Sequence, residues 1–196
     1  MLNRILARSL LATLLCIYPV AYLMAEQDSF IIDDRTTGDK VSSSGKQWRF
    51  VSDGVMGGVS AGRLEPAVAE NRPCLQLQGK VRLDNNGGFI QAALDVSDEV
   101  LDVVADYTGV MLEVSGNGEA YNLHLRTRDL WLPWQSYRTT FTASPQWQTL
   151  YLPFAEFEPY RTGKALDITR LKRIGILAIG RAFDADLCIG RIGLYR

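Results

Sequence analysis

The stretch QWRFVSDGVMGGVSAG, residues 47–62, decides the fold together with DNNGGF, residues 84–89. Four glycines of the first stretch lie among residues typical of β-strands. Glycine at this density indicates a backbone that adopts positive φ or passes close to another group. An ordinary solvent loop would favour small polar residues over Val55, Met56 and Val59. The two stretches therefore predict ordered, partly buried loops that close one end of a β domain.

Outside these loops, short alternating segments predict an all-β domain. In residues 75–83, Leu75 and Leu77 alternate with Gln76 and Gln78, which is the pattern of a half-buried strand in an antiparallel sheet. Turn-rich segments separate such runs at the spacing of a sandwich or barrel. The other strands are predicted at residues 48–51, 89–94, 109–114, 121–127, 137–141, 148–152, 175–179 and 187–195.

Three turns between these strands are predicted to be hairpins. Asn-Asn-Gly-Gly at residues 85–88 would return the chain along the preceding strand, and residues 115–118 and 142–145 would do the same. Two short helical turns are also predicted. One follows Ser97, which is a suitable N-cap, and the other lies at residues 167–171.

The two glycine-rich loops resemble those of the complex I intermediate-associated protein family. The shared pattern is D-G-V-M-G-G-V-S-x-G followed by N-G-G-F, and the resemblance continues through residues 121–126, 147–157 and 174–195. It implies a jelly-roll β-sandwich like that of galactose-binding domains, and a role in assembling respiratory complex I. The motif residues to which it gives a structural role are Asp53, Gly54, Met56, Gly57, Gly58, Ser60, Asn86, Gly87, Gly88 and Phe89.

The composition describes a globular chain and argues against one class of partner. Of the 196 residues, 47% are hydrophobic and 22% are charged. The formal net charge is −1. Since no basic excess is present to neutralise phosphates, nucleic-acid binding through general electrostatics is not expected.

The first 25 residues are predicted to be a signal peptide. Arg4 and Arg8 precede a run without charges, residues 9–25, and cleavage is expected after Ala25. Residues 26–196 would then be a single β-sandwich domain in the periplasm or secreted, without stable membrane insertion. Two alternatives stay open. An uncleaved membrane anchor would need a longer apolar run, and a mitochondrial presequence would be less apolar.

Cys74 and Cys188 are the two cysteines of the mature chain. Both fall among the polar positions of predicted strands. In an oxidising compartment such a pair favours a disulfide. Two unpaired, small hydrophobic side chains are the alternative, because the sequence does not supply the Cα–Cα distance that bonding requires.

Residues 58–62 match G-x-S-x-G, the nucleophile elbow of serine hydrolases. That motif needs a strand before the serine, here Ser60, and a helix after it. Pro66 opposes such a helix, and His124, the sole histidine, would have to be the base. A serine hydrolase is therefore only the third hypothesis, and we expect no catalytic residue.

Metal and cofactor sites are also not expected. One histidine and two separated cysteines do not complete a conventional transition-metal site. Asp53, Asp84, Asn85 and Asn86 carry oxygens suited to a structural calcium, but Asx turns explain them without a metal. The glycine spacing differs from that of a dinucleotide-binding loop.

The segment RTRDLWLPWQSYR, residues 126–138, carries the candidate binding residues. Trp, Tyr and Arg are enriched at binding hot spots. The candidates, for a protein partner or a glycan, are Arg126, Arg128, Trp131, Trp134, Gln135 and Tyr137. The alternative is that Trp131 or Trp134 caps the core. Trp48 and Trp147 lie beside predicted strands and are expected in the core.

These observations predict an exported, non-catalytic binding domain that acts on a protein partner in an assembly or scaffolding role. A carbohydrate-binding module is the alternative. An exported chain would not meet the matrix-side intermediates that mitochondrial members of the family serve, so its partner would be a different one.

Overall fold

The computed structural model describes residues 28–196. The predicted signal peptide, residues 1–25, lies outside this part of the chain. Within it, twelve strands are β1 (Ser29–Asp33), β2 (Trp48–Ser52), β3 (Ala61–Ala69), β4 (Arg72–Val81), β5 (Phe89–Asp95), β6 (Gly109–Gly116), β7 (Ala120–Thr127), β8 (Ser136–Thr142), β9 (Gln148–Pro153), β10 (Glu158–Tyr160), β11 (Leu171–Ile179) and β12 (Phe183–Tyr195).

The strands form two antiparallel sheets of six strands each. The sheet with the order β10-β8-β7-β11-β5-β2 is called the front sheet, and the sheet with the order β3-β4-β12-β6-β9, with β1 also paired to β12, the back sheet. Between the sheets lies one hydrophobic core, because alternate residues of each strand face inward. In β7, for example, Tyr121, Leu123 and Leu125 are buried, whereas His124 and Arg126 lie on the outer face.

Most of the predicted strands are confirmed, but the three predicted hairpins are wrong. The chain does turn at residues 85–88, 115–118 and 142–145, yet β4, β6 and β9 belong to the back sheet while β5, β7 and β8 belong to the front sheet. Each turn therefore crosses from one sheet to the other, as in a jelly roll. A tight hairpin with a two-residue turn joins β3 to β4, and β7 pairs with β8 across a longer connection. The turn residues of the tight hairpin, Glu70 and Asn71, both have positive φ, 50° and 62°.

The short helix after Ser97 is confirmed as α1 (Asp98–Val103), and a 3₁₀ turn occupies Ile168–Arg170. No helix in residues 28–196 is long and apolar enough to cross a membrane.

Of the two tryptophans expected in the core, Trp48 is fully buried. Trp147 is only half-buried. Its Nε1 donates to the carbonyl oxygen of Ala69 at 3.2 Å, and the Arg72 guanidinium lies 4.5 Å from the ring centre.

Candidate functional site

A groove of about 560 Å³ crosses the outer face of the front sheet. One wall is the loop after β2 together with the loop before β5, and the other is the segment between β7 and β8 together with the end of β10. We call these the glycine wall and the tryptophan wall. The groove is lined by Val51, Val55, Met56, Gly87, Gly88, Phe89, Gln91, His124, Arg126, Pro133, Trp134, Gln135, Ser136, Tyr160, Arg161, Arg173, Gly175, Leu177, Ile179 and Gly180.

The glycine wall begins with a 3₁₀ turn, Asp53–Met56, which Ser52 caps by accepting a hydrogen bond from the N–H of Gly54. The turn exposes two apolar side chains, Val55 at 74% and Met56 at 53%. These two neighbouring side chains give the glycine wall an apolar outer surface.

The buried carboxylate of Asp53 holds this wall together. It accepts hydrogen bonds from the N–H (2.9 Å) and hydroxyl of Ser60, and from the N–H groups of Gly88 and Phe89 (3.3 Å for Phe89). Burial raises the pKa of Asp53, but these hydrogen bonds outweigh burial and leave the pKa below its usual value. One side chain therefore connects the two motifs recognised in the sequence.

The same contacts explain two of the glycines and the carboxylate without a metal. A Cβ on Gly58 would lie 2.3 Å from Asp53 Cγ, and a Cβ on Gly87 would lie 2.5 Å from Asp53 Oδ2. Both oxygens of Asp53 face hydrogen-bond donors, and no group of three His, Cys, Asp or Glu side chains that could hold a metal ion occurs in residues 28–196. The hydrogen bonds of Asp53 therefore account for its burial.

Arg126, on the outer face of β7, holds the backbone of the tryptophan wall in place. Its guanidinium donates to the carbonyl oxygens of Pro133 (2.9 Å) and Leu132 (3.0 Å). Gln135 adds a second brace, because its Oε1 accepts from the N–H of Leu132 (3.1 Å) and its Nε2 donates to the carbonyl of Arg161 (3.2 Å). A segment without regular secondary structure thus has a defined backbone.

This backbone presents Trp134 to the groove with 45% of its surface exposed, and Trp131 to solvent with 87% exposed. Neither tryptophan caps the core. Tyr160 at the end of β10 completes the wall, and the Arg138 guanidinium stacks 4.0 Å from its ring centre.

The floor of the groove is polar at its centre. His124 on β7 is opposite Gly175 on β11, and Gln91 crosses over Gly175 so closely that a Cβ there would lie 2.2 Å from Gln91 Nε2. Burial, with a contribution from Arg138, lowers the pKa of His124 to about 4. The imidazole is therefore neutral at pH 7. Arg173 is opposite Arg126 in the pairing of β11 with β7, and its Nε donates to Asp95 at 2.6 Å.

The structure brings only part of the predicted cluster together. Arg126, Trp134 and Gln135 line the groove, while Trp131 lies outside it. Arg128 lines a different depression, beside Asp95, Val96, Leu171 and Lys172. The prediction that Tyr137 belongs to the binding surface is wrong. Its position in β8 faces inward, so the ring is buried and its hydroxyl donates to the carbonyl of Ala165.

Several groove residues were missed in the sequence, among them Gln91, Tyr160, Arg161 and Arg173. The alternation of side chains along β5 and β11 could have indicated two of them, because it places Gln91 and Arg173 on the face of the sheet away from the core. Only the pairing of β5, β11 and β7 shows that these outer positions meet His124 and Arg126. Met56, Gly87, Gly88 and Phe89, to which the resemblance gave a structural role, also line the groove.

Ser60, the serine of the G-x-S-x-G match, is not set on a nucleophile elbow. The residues that follow it form strand β3 rather than a helix. Its hydroxyl donates to Asp53 and accepts from the N–H of Arg82 at 3.0 Å. The context that the hydrolase motif requires is therefore missing.

Comparisons with solved structures agree with this architecture. A family 11 carbohydrate-binding module from a cellulosomal cellulase of Clostridium thermocellum matches with a TM-score of 0.67 at 11% identity, over 86% of this chain and 95% of that chain. The family 11 module from Clostridium thermocellum in complex with a β-1,3-1,4-mixed-linked tetrasaccharide matches with 0.61 at 12% identity, over 76% and 88%. A family 30 carbohydrate-binding module matches with 0.58 at 13% identity, over 85% and 86%. These similarities confirm the jelly-roll β-sandwich fold.

Comparison at the level of sequence gives the family. No curated protein matches the chain. The family model described as Complex I intermediate-associated protein 30 (CIA30) matches residues 38–189, which is more than half of the chain. The chain therefore belongs to the complex I intermediate-associated protein 30 family.

Proposed function

We propose that this protein is a non-catalytic, exported binding domain whose groove holds an extended segment of a partner protein during assembly of a larger complex. The observation that carries the proposal is the groove itself, which has exposed apolar side chains on both walls and polar groups on its floor. Grooves with apolar walls and a few convergent polar groups are the usual form of binding sites.

The two walls suit a polypeptide. Val55 and Met56 project from one wall and Leu132 and Trp134 from the other, all more than two-fifths exposed. Apolar side chains on both sides of a groove can contact alternating side chains of an extended peptide. The backbone of both walls is already ordered by Asp53 and Arg126, which lowers the entropy lost on binding.

Site-specific photo-cross-linking tests this proposal. Benzoylphenylalanine would replace Val55 in one variant and Trp131, at the outer edge of the tryptophan wall, in another. The matched control is Val68, which is 72% exposed on the back sheet. Adducts from Val55 and from Trp131, one position on each wall, should map to the same segment of one partner, and Val68 should give none. Equal adducts from Val68, or none from the two walls, would contradict the proposal.

Glycan binding is the second candidate, because Trp134 and Tyr160 line the same groove and aromatic faces stack on sugar rings. One of the similar modules was solved with a mixed-linked tetrasaccharide. Glycan-array binding that is lost in Trp134→Ala would support this candidate, whereas an array without signal would reject it.

The exported location is supported by the bond between Cys74 and Cys188, because disulfides persist in oxidising compartments. Such a location separates this protein from complex I intermediates on the matrix side, so we propose a partner in the cell envelope. Mass spectrometry of the mature protein should give Glu26 as its first residue. A soluble mature form that retains residues 1–25 would contradict export.

A further inference from the structure

We infer that the segment bound in the groove is acidic: a stretch of the partner's chain that carries several carboxylates between apolar residues. This inference rests on the proposed function and narrows it to one class of ligand. It starts from the charges that line the groove. These include Arg126, Arg161 and Arg173, and no aspartate or glutamate. The chain as a whole has a net charge of −1, so the positive character is local.

Two of these arginines have no carboxylate partner in the part of the chain that the structure describes. Within residues 28–196 no ion pair involves Arg126 or Arg161. Arg126 donates two hydrogen bonds to backbone carbonyls, and neutral carbonyls leave its positive charge uncompensated. The third arginine, Arg173, shares the carboxylate of Asp95 with Arg49. One carboxylate thus faces two cations, and the groove keeps an excess of positive charge.

The floor also offers polar groups whose hydrogen bonds are not made. In the described part of the chain, His124 Nε2 and Ser136 Oγ are buried and have no hydrogen-bond partner. Ser136 is 3% exposed, and both residues line the groove. Unpaired buried polar groups are costly. A ligand that brings carboxylate or peptide groups to this floor would satisfy them.

The charge of the groove comes from the arginines alone at neutral pH, because His124 is uncharged there. Arginine pairs with carboxylates through a planar, two-pronged set of donors. The same groove also has apolar positions, including Val51, Leu177 and Ile179 on its floor. These would contact apolar side chains that lie between the acidic ones in the ligand. Carboxylates alternating with apolar groups are the chemistry of an acidic polypeptide segment.

Selection from a random dodecapeptide library displayed on phage tests the inference with the folded protein. Enriched peptides should carry an excess of Asp and Glu over Lys and Arg. As synthetic peptides, they should bind more weakly as salt is added, since screening weakens ion pairing. Replacing their carboxylates by the corresponding amides should weaken binding about tenfold or more.

A pair of variants with equal changes in charge locates the effect. Arg161→Gln combined with Arg173→Gln should weaken binding of the selected peptides about tenfold or more. The matched control combines Arg63→Gln with Arg191→Gln, two exposed arginines of the back sheet, and should leave binding within about twofold. Near-ultraviolet circular dichroism checks that both variants are folded.

Each other outcome rejects a different statement. Selected peptides that depend on Trp134 and Met56 but carry no acidic excess would overturn the inference and leave the proposed function standing. Peptides whose binding is unchanged by Trp134→Ala and Met56→Ser bind outside the groove. That result would overturn both the inference and the proposed function. Binding of tetragalacturonate in the groove, with no acidic peptide selected, would keep the anionic chemistry but reject a polypeptide as its source, and so overturn the inference as stated.

Discussion

At the scale of single residues, Asp53 decides the shape of the glycine wall. Its carboxylate accepts hydrogen bonds from Ser60 on one side and from Gly88 and Phe89 on the other. The two loops are separated in sequence and come together on this one acceptor. Removing its charge while keeping its size therefore tests how strongly the wall depends on it.

We predict that Asp53→Asn lowers the free energy of unfolding by about 2–3 kcal/mol. The amide would turn an NH₂ group toward N–H donors, so at least one buried hydrogen bond would be lost. Urea unfolding at pH 7 measures the difference. Asp84→Asn is the control, because Asp84 is exposed and, among residues 28–196, forms its ion pair with Arg82 alone, so its loss should be far smaller than that of Asp53→Asn. Equal losses in both variants would contradict the prediction.

The wild type and Asp53→Asn should also differ in how their stability responds to acid. Because the pKa of Asp53 in the folded state is below its usual value, its stabilisation is complete above the unfolded-state pKa of about 3.9. It is lost as the pH falls through the folded-state pKa. The stability advantage of the wild type over Asp53→Asn should therefore shrink below about pH 4, and a constant difference down to the acid transition would count against this role.

Two adjacent glycines should respond differently to alanine. Gly57 has φ of +86° and open space where a Cβ would lie, so Gly57→Ala should cost about 1 kcal/mol of strain. Gly58→Ala should cost about 2 kcal/mol or more, because its Cβ would collide with Asp53. Thermal unfolding measures both. Gly163→Ala is the control, since Gly163 has open space and no positive φ. The reverse order of the two losses would reject the assigned contacts.

At the scale of elements, the sequence specified where strands lie far better than which strands pair. The alternation in residues 75–83 and 121–127 reflects burial of one face, and this is a local property. A turn such as residues 115–118 only reverses the chain. Whether the next strand pairs with the last or crosses to the other sheet depends on packing of the whole sandwich. For this reason β6 and β7 look like a hairpin in the sequence and lie in different sheets.

The candidate site was predictable only where its residues lie in one segment of the sequence. Arg126, Trp134 and Gln135 stand out by residue type within one segment, and all three line the groove. Tyr160 and Arg173 reach it only through the pairing of β10 with β8 and of β11 with β7. No local pattern contains that information. Tyr137 was misassigned because residue type was given more weight than the alternation of its strand.

The tryptophan wall should depend on the planar geometry of Arg126. Its two terminal nitrogens reach two successive carbonyls, whereas a lysine ammonium is a single point donor. We predict that Arg126→Lys keeps the fold but speeds amide hydrogen exchange of the non-proline residues in 131–135 by about fivefold, the loss of about 1 kcal/mol. Arg128→Lys is the control in the neighbouring segment. Equal exchange in the two variants would show that Gln135 holds the wall by itself.

At the scale of the whole molecule, the bond between Cys74 and Cys188 joins β4 to β12 in the back sheet, with Cα atoms 5.5 Å apart. The two residues are 114 positions apart, and the enclosed loop contains every strand of the front sheet except β2. Closing so long a loop restricts the unfolded chain far more than any local contact does. The groove lies on the outer face of the other sheet.

We therefore predict that Cys74→Ala combined with Cys188→Ala lowers the free energy of unfolding by about 2–4 kcal/mol and leaves peptide binding in the groove unchanged well below the melting transition. Wild-type protein in dithiothreitol should melt at the temperature of the double variant, and the reductant should not shift the variant itself. If the wild type and the variant melt together without reductant, the bond contributes nothing to stability. If binding is lost while both remain folded, the back sheet must control the groove, and the two faces of the sandwich are not independent.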